Sequence, residues 1–172
     1  MSELRRDWAT WTDHEKADFS QSFVHYQGRR RCQILRFLMR NGNHSVWSAI
    51  AASVASSLPI NESLPFLREC CKSSETGCSA NYYQALWLTG SPEAVGVLWT
   101  ALDRIWASPD LMTPDSFCNF TAFDAIWCID ALIRLGDPLD SLRDPYEKLK
   151  MHPTMRGDAV RWLSEHFEHE DS

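Results

Sequence analysis

The side chains that could do chemistry in this chain fall into four groups. His166 and His169 stand three apart among Glu165, Glu168 and Glu170, a spacing that could hold a metal on one helical face. They also lie in a strongly charged C-terminal stretch, which reads as a solvated, fraying end. Cys70, Cys71 and Cys78 gather three thiols near one turn, with no histidine nearby and no Cys-x-x-Cys. Together with Cys32, Cys118 and Cys128 they read as small buried hydrophobes rather than as a zinc or redox site. Arg29, Arg30 and Arg31, with Arg36 and Arg40, form the one basic patch. Such a patch suits phosphate or nucleic acid, but it can also pair with Asp13, Glu15 and Asp18 of the preceding helix. Finally, Asp124 and Asp130 flank Trp127. Exposed acids beside an aromatic make an interface for a basic protein. If Trp127 is core, they are ordinary surface acids.

No nucleophile paired with a base stands out, and no four-ligand metal set. The sequence therefore points to binding without catalysis, with no cofactor and no metal. His152 precedes Pro153 in a turn and reads as a surface residue. Trp99 and Trp106, seven apart on one helix face, read as core. Trp8 and Trp11 stand in a charged, irregular segment, and either fold back over the first helix pair or mediate a contact.

Composition narrows the classes. The 172 residues are enough for one domain or one short repeat array with a real core. The formal net charge is −6, with 17 Lys and Arg against 23 Asp and Glu. Residues 1–40 hold the basic excess and residues 41–172 the acidic one, so nucleic acid is an unfavoured partner and a basic protein a favoured one. No apolar run is long enough to span a bilayer. The N-terminal stretch MSELRRDWATW lacks an apolar signal core, which sets the expectation of a reducing, cytoplasmic setting without disulfides.

The elements that must position these residues announce themselves in an echo. ALWLTGSP at 85–92 and ALIRLGDP at 131–138 share Ala-Leu-x-x-x-Gly-x-Pro. Ala-Leu is the apolar end of an amphipathic helix. Gly90 and Gly136 fit a left-handed helix terminus. Ser91 and Asp137 fit side-chain caps of the next helix, with Pro92 and Pro138 in its first turn. Each stretch encodes helix, tight turn, helix.

The rest of the chain reads the same way. Thr12-Asp13-His14-Glu15 is a capping box that opens a helix. Helices follow over 29–40, 44–58, 62–72, 79–89, 92–107, 121–135, 138–150 (broken near Asp144-Pro145) and 154–168, with a long loop over 108–120. Alternating strand patterns of comparable strength are missing. The chain is expected to be all-α: one domain over 1–172, with residues 1–28 as a capping segment and helix.

Paired helices with Ala85-Leu86…Gly90-Ser91-Pro92 and Ala131-Leu132…Gly136-Asp137-Pro138, and a last helix MRGDAVRWL with Arg156, Ala159 and Leu163, resemble the HEAT-repeat family of α-solenoids, especially the short HEAT-like repeats of bacteria. The resemblance covers about residues 29–168. It implies four helix pairs stacked in a row, with an irregular helical bundle as the other architecture open to such a chain. It further implies that second helices line a concave side where partners bind. Asp124, Trp127, Asp130 and Arg134, then Asp158 and Arg161 on the last helix, are the partner-binding residues expected on that basis. Small helical-repeat proteins of this kind serve as adaptors and as immunity proteins that neutralise a toxin domain. Some HEAT-like proteins are DNA glycosylases, whose Trp, Asp and Arg set could be imitated by Trp127, Asp124 or Asp130, and Arg156 or Arg161. A structural subunit stacking its last helix pair on a second copy is the remaining alternative.

Overall fold

A computed structural model describes residues 2–74, 79–112, 120–153 and 156–167. Among the described residues there are ten α-helices, two 3₁₀ turns and no strand. The helices are α1 (Ser2–Trp8), α2 (Asp13–Ser22), α3 (Gly28–Asn41), α4 (His44–Ser57), α5 (Ile60–Ser73), α6 (Ala80–Leu88), α7 (Pro92–Trp106), α8 (Phe120–Arg134), α9 (Leu139–Lys150) and α10 (Arg156–Phe167). The 3₁₀ turns are Phe23–His25 and Pro109–Met112. The all-α expectation holds, and α3/α4, α5/α6, α7/α8 and α9/α10 are the pairs read from the sequence, with ends shifted by a few residues.

Local chemistry explains the boundaries. The Thr12 hydroxyl accepts the backbone N–H of Glu15 at 3.3 Å, and the Glu15 carboxylate accepts the N–H of Thr12 at 2.7 Å. This completes the capping box that starts α2. The Asn43 side chain accepts from Val46 N at 3.2 Å and starts α4. Ser91 caps α7 by accepting from Glu93 N at 3.3 Å, with Pro92 in the first turn. Gly90 and Gly136 end α6 and α8 at φ of 61° and 81°, the left-handed conformation that the echo requires.

Four expectations are corrected. Asp137 does not cap α9. Pro138 occupies the cap position, one residue closer to the helix, and the Asp137 carboxylate instead accepts the Trp99 indole N–H at 3.0 Å. Helix α9 does not break at Asp144-Pro145. Leu142, Pro145, Tyr146 and Leu149 are its buried residues, at helical spacing, so the proline ring belongs to the core-facing stripe and burial holds the helix together despite the lost N–H. The segment before residue 12 is not irregular but forms α1, which folds back through a buried Trp8. Trp99 and Trp106 are partly buried at the margin of the core rather than inside it.

Packing follows from the apolar stripes. Helix α4, built from small residues, touches α2, α3, α5 and α6. The even-numbered helices make one continuous run of contacts, α2 on α4, α4 on α6, α6 on α8 and α8 on α10. Helices α5 and α7 pack on the flanks of that run and on each other. Two hydrophobic clusters result. One joins Trp8, Phe23, Ile34, Leu35, Leu38 and the near face of α4. The larger runs from α4 through Leu98, Leu102 and Ile105 to Ile129, Leu132, Leu163 and Phe167. Trp47 and Phe66 pack against both clusters, edge to face at 6.1 Å. Each fully buried Leu or Ile contributes about 1.5–3 kcal/mol, so the long cluster is the main source of stability.

Candidate functional site

Helix α8 buries Ala122, Ala125, Ile126, Cys128, Ile129 and Leu132. Phe123, Trp127, Asp130 and Arg134, at spacings of four, three and four, then run along one side of this stripe. On α10, Leu163 and Phe167 enter the core while Trp162 stays 50% exposed. Between the two helices lies a niche of about 210 Å³, lined by Phe123, Ile126, Trp127, Asp130, Arg134 and Trp162. The Trp127 and Trp162 rings form its aromatic wall, with centroids 6.0 Å apart and planes at 41°. Arg134 closes the other end. Its Nε donates to Asp130 at 2.7 Å, and its guanidinium lies 4.8 Å from the Trp87 ring centroid on α6.

The structure therefore brings Trp127, Asp130 and Arg134 together around one niche. It does not bring in the other three. Asp124 is buried at 2% exposure, and its two carboxylate oxygens accept the backbone N–H of Ser79 at 3.1 and 3.3 Å. This acid secures the entry to α6 and is no part of an exposed acidic face. Asp158 is half-buried and Arg161 exposed, and neither lines the niche. The Arg161 guanidinium lies 5.8 Å from the Trp162 ring.

Charge placement also departs from an acidic concave face. Helices α4 and α6 carry no Asp, Glu, Lys or Arg at all. The α-helices from α4 to α10 hold eleven acids against nine bases, so the acidic excess of residues 41–172 falls mainly outside them. With Asp124 buried and Asp130 neutralised by Arg134, the α8 face is aromatic and nearly neutral.

The other candidates resolve into structural roles. Burial pushes the Cys70 and Cys71 thiols up to about 12 and raises that of Cys128 well above its ordinary value, so all three are protonated small hydrophobes near neutral pH. Cys78 and Cys118 lie outside the described residues. The basic patch is drawn to different partners than expected. Arg36 forms a two-pronged ion pair with Glu62 of α5, at 2.6 and 2.8 Å. Arg31 donates to Ser53 and Arg30 covers Tyr26. The acids of α2 meet partners on their own helix and its cap instead: Asp13 pairs with Lys16, Asp18 with His14, and Glu15 with Thr12. His152 is not on the surface. It is 1% exposed, and its Nε2 meets the carbonyl of Leu111. Among the described residues no group of three or more metal-ligating side chains converges; His169, Glu168 and Glu170 lie outside them. Arg156 opens α10, but its side chain is also outside the described set.

Comparison with known proteins brings no match. No protein-family model, no curated protein and no solved structure matches this chain. The reading of its function rests on the geometry above.

Sequence reasoning missed Phe123, Ile126, Trp162 and the Trp87 contact. One signal was present: Asp158 and Trp162 stand four apart on the last helix, beside the apolar Leu163, so an indole at the edge of the stripe was legible. Its approach to Trp127 depends on how α10 lies across α8, which spacing within one helix does not encode.

Proposed function

We propose that this chain is a non-catalytic protein-binding module that holds its partner on the face shared by α6, α8 and α10. The observation that carries the proposal is Trp162. A half-exposed indole leaning on a second indole, over a small niche with an ion pair at its rim, has the composition of an interface hot spot. A pocket of this size seats one apolar or aromatic side chain of the partner. At the edge Arg134 supplies a donor and Asp130 an acceptor, which suits a polar rim around an apolar anchor. The weight moves from charge to aromatic burial, so the partner's anchor is apolar rather than basic.

We read the run of even-numbered helices, flanked by α5 and α7, as a short HEAT-like solenoid. What supports this reading is the repeated glycine-ended turn and the sequential contacts from α2 to α10. An adaptor or an immunity protein fits such an array. The glycosylase-like alternative loses support, since Asp124 is committed to Ser79 and Asp130 to Arg134.

A photo-crosslinking amino acid placed at position 162 tests the proposal in the native host. Covalent capture of one protein in near-stoichiometric yield, absent when the same group replaces exposed Ser56 on α4, is the expected outcome. Equal capture from both positions, or none from 162, contradicts it. One observation favours a second reading: among the described residues α10 makes its main contacts with α8 and α9, and the half-exposed Trp162 is then a surface that a second copy can cover. Light scattering of the purified chain separates the two, because a self-associating face gives a dimer mass without any partner.

A further inference from the structure

A separate groove runs between α5 and α7 and shares no lining residue with the α8/α10 niche. It encloses about 490 Å³, within the range of small-molecule sites. Its floor is apolar and small: Cys71, Val97, Ala101 and the bare backbone of Gly96. Three cations line it, Arg68, Lys72 and Arg104, against one acid, Glu93. They are three of only nine Lys and Arg in residues 41–172. None of the three has a carboxylate within ion-pair distance among the described residues, although the chain as a whole is acidic.

Arg104 sharpens the point. Its Nη1 donates to the Lys72 carbonyl at 2.9 Å, which ties α7 to the end of α5. Its Nε and Nη2 are buried without any acceptor. Unmatched guanidinium donors in a low-dielectric wall leave a positive field at the groove. Gly96 supplies the room. A Cβ added there would meet nothing within 4 Å, so packing does not require a glycine at this mid-helix position, and the missing side chain keeps the groove open.

We infer that the α5/α7 groove binds a small amphipathic anion, a carboxylate or phosphate head on an apolar body. The head sits at Lys72, Arg104 and Arg68, and the body lies over Gly96, Val97 and Ala101. The inference does not depend on the α8/α10 face.

Fluorescence titration with anilinonaphthalene sulfonate, an anionic aromatic probe, tests it against phenylnaphthylamine, the same skeleton without charge. The expected result is saturable binding of one sulfonate per chain and at least about tenfold weaker binding of the neutral probe. Lys72→Glu and Arg68→Glu should each weaken the sulfonate about tenfold, and Gly96→Leu should remove its binding. All three positions are exposed, so an unchanged thermal midpoint shows that the variants fold. Octanoate and octyl phosphate then compete for the probe, and the stronger competitor identifies the head group. Equal binding of charged and neutral probes, affinity unchanged by the charge reversals, or displacement by neither competitor would overturn the inference.

Discussion

The carboxylate of Asp124 accepts the backbone N–H of Ser79, forty-five residues earlier in the chain, at 3.1 Å from one oxygen and 3.3 Å from the other. It ties the second turn of α8 to the residue that precedes α6, inside the long hydrophobic cluster. Asp124→Ala leaves a buried N–H without this acceptor, and the expected loss is about 1–3 kcal/mol. Urea denaturation measures it. A variant as stable as the wild type would mean that Asp124 is dispensable to the fold and would return it to the list of candidate binding residues.

The two echo glycines make a paired prediction. A Cβ at Gly90 or Gly136 would meet nothing within 4 Å, so replacement by alanine tests backbone conformation alone. At positive φ, Gly90→Ala and Gly136→Ala should each cost about 1 kcal/mol. Thermal denaturation should show both midpoints falling by similar amounts. A neutral or stabilising effect at either site would contradict the left-handed turn there.

The cysteines give a chemical test of the core. Cys70, Cys71 and Cys128 are buried at 2%, 3% and 0% exposure, with thiols pushed far above neutral pH. Iodoacetamide at pH 8 should leave their peptides unmodified in the native protein and alkylate them fully in urea. Rapid native labelling of Cys71 or Cys128, read by mass spectrometry, would show that the α5–α8 core is open.

The Arg36–Glu62 pair predicts a pH dependence. The hydrogen bonds from Arg36 hold the Glu62 carboxyl below its ordinary value of 4.5. A depressed folded-state value means the stabilisation is present above that pH and is lost as pH falls through the folded value. Wild type should therefore be more stable than Glu62→Gln at pH 7, with the difference shrinking below about pH 4.5. A difference that stays constant down to pH 3 would show that the pair does not couple α3 to α5 by charge.

Much of this fold was legible in the sequence because its signals are local. The Thr12 capping box, the Ser91 cap and the glycine-ended turns act within four or five residues, and each appears where spacing placed it. The errors fall where a distant element decides. Pro145 reads as a breaker until the stripe of Leu142, Tyr146 and Leu149 is buried around it. Asp137 reads as a cap until Trp99 claims its carboxylate. Asp124 and Asp130 look alike in sequence, six apart around Trp127, yet one faces Ser79 in the core and the other meets Arg134 at the niche. Net charge misled for a related reason, since it is silent on whether acids share a face or sit in turns. The niche itself was half visible: Trp127, Asp130 and Arg134 share one helix, whereas Trp162 joins them only through the packing of α10 on α8.

The central claim is that the Trp162 face holds a protein partner, and one paired measurement addresses it most directly. Wild type and Trp162→Ala serve as baits for extract of the native host, and the thermal midpoint of each bait is recorded alongside the amount of partner retained. Trp162 is half-exposed, so its removal should move the midpoint little, while an indole hot spot should carry about 2 kcal/mol or more of the binding energy. The account predicts a stoichiometric partner on the wild-type bait, reduced more than about tenfold on a variant that remains folded. Undiminished retention by folded Trp162→Ala, or no stoichiometric partner on the wild type, would contradict it.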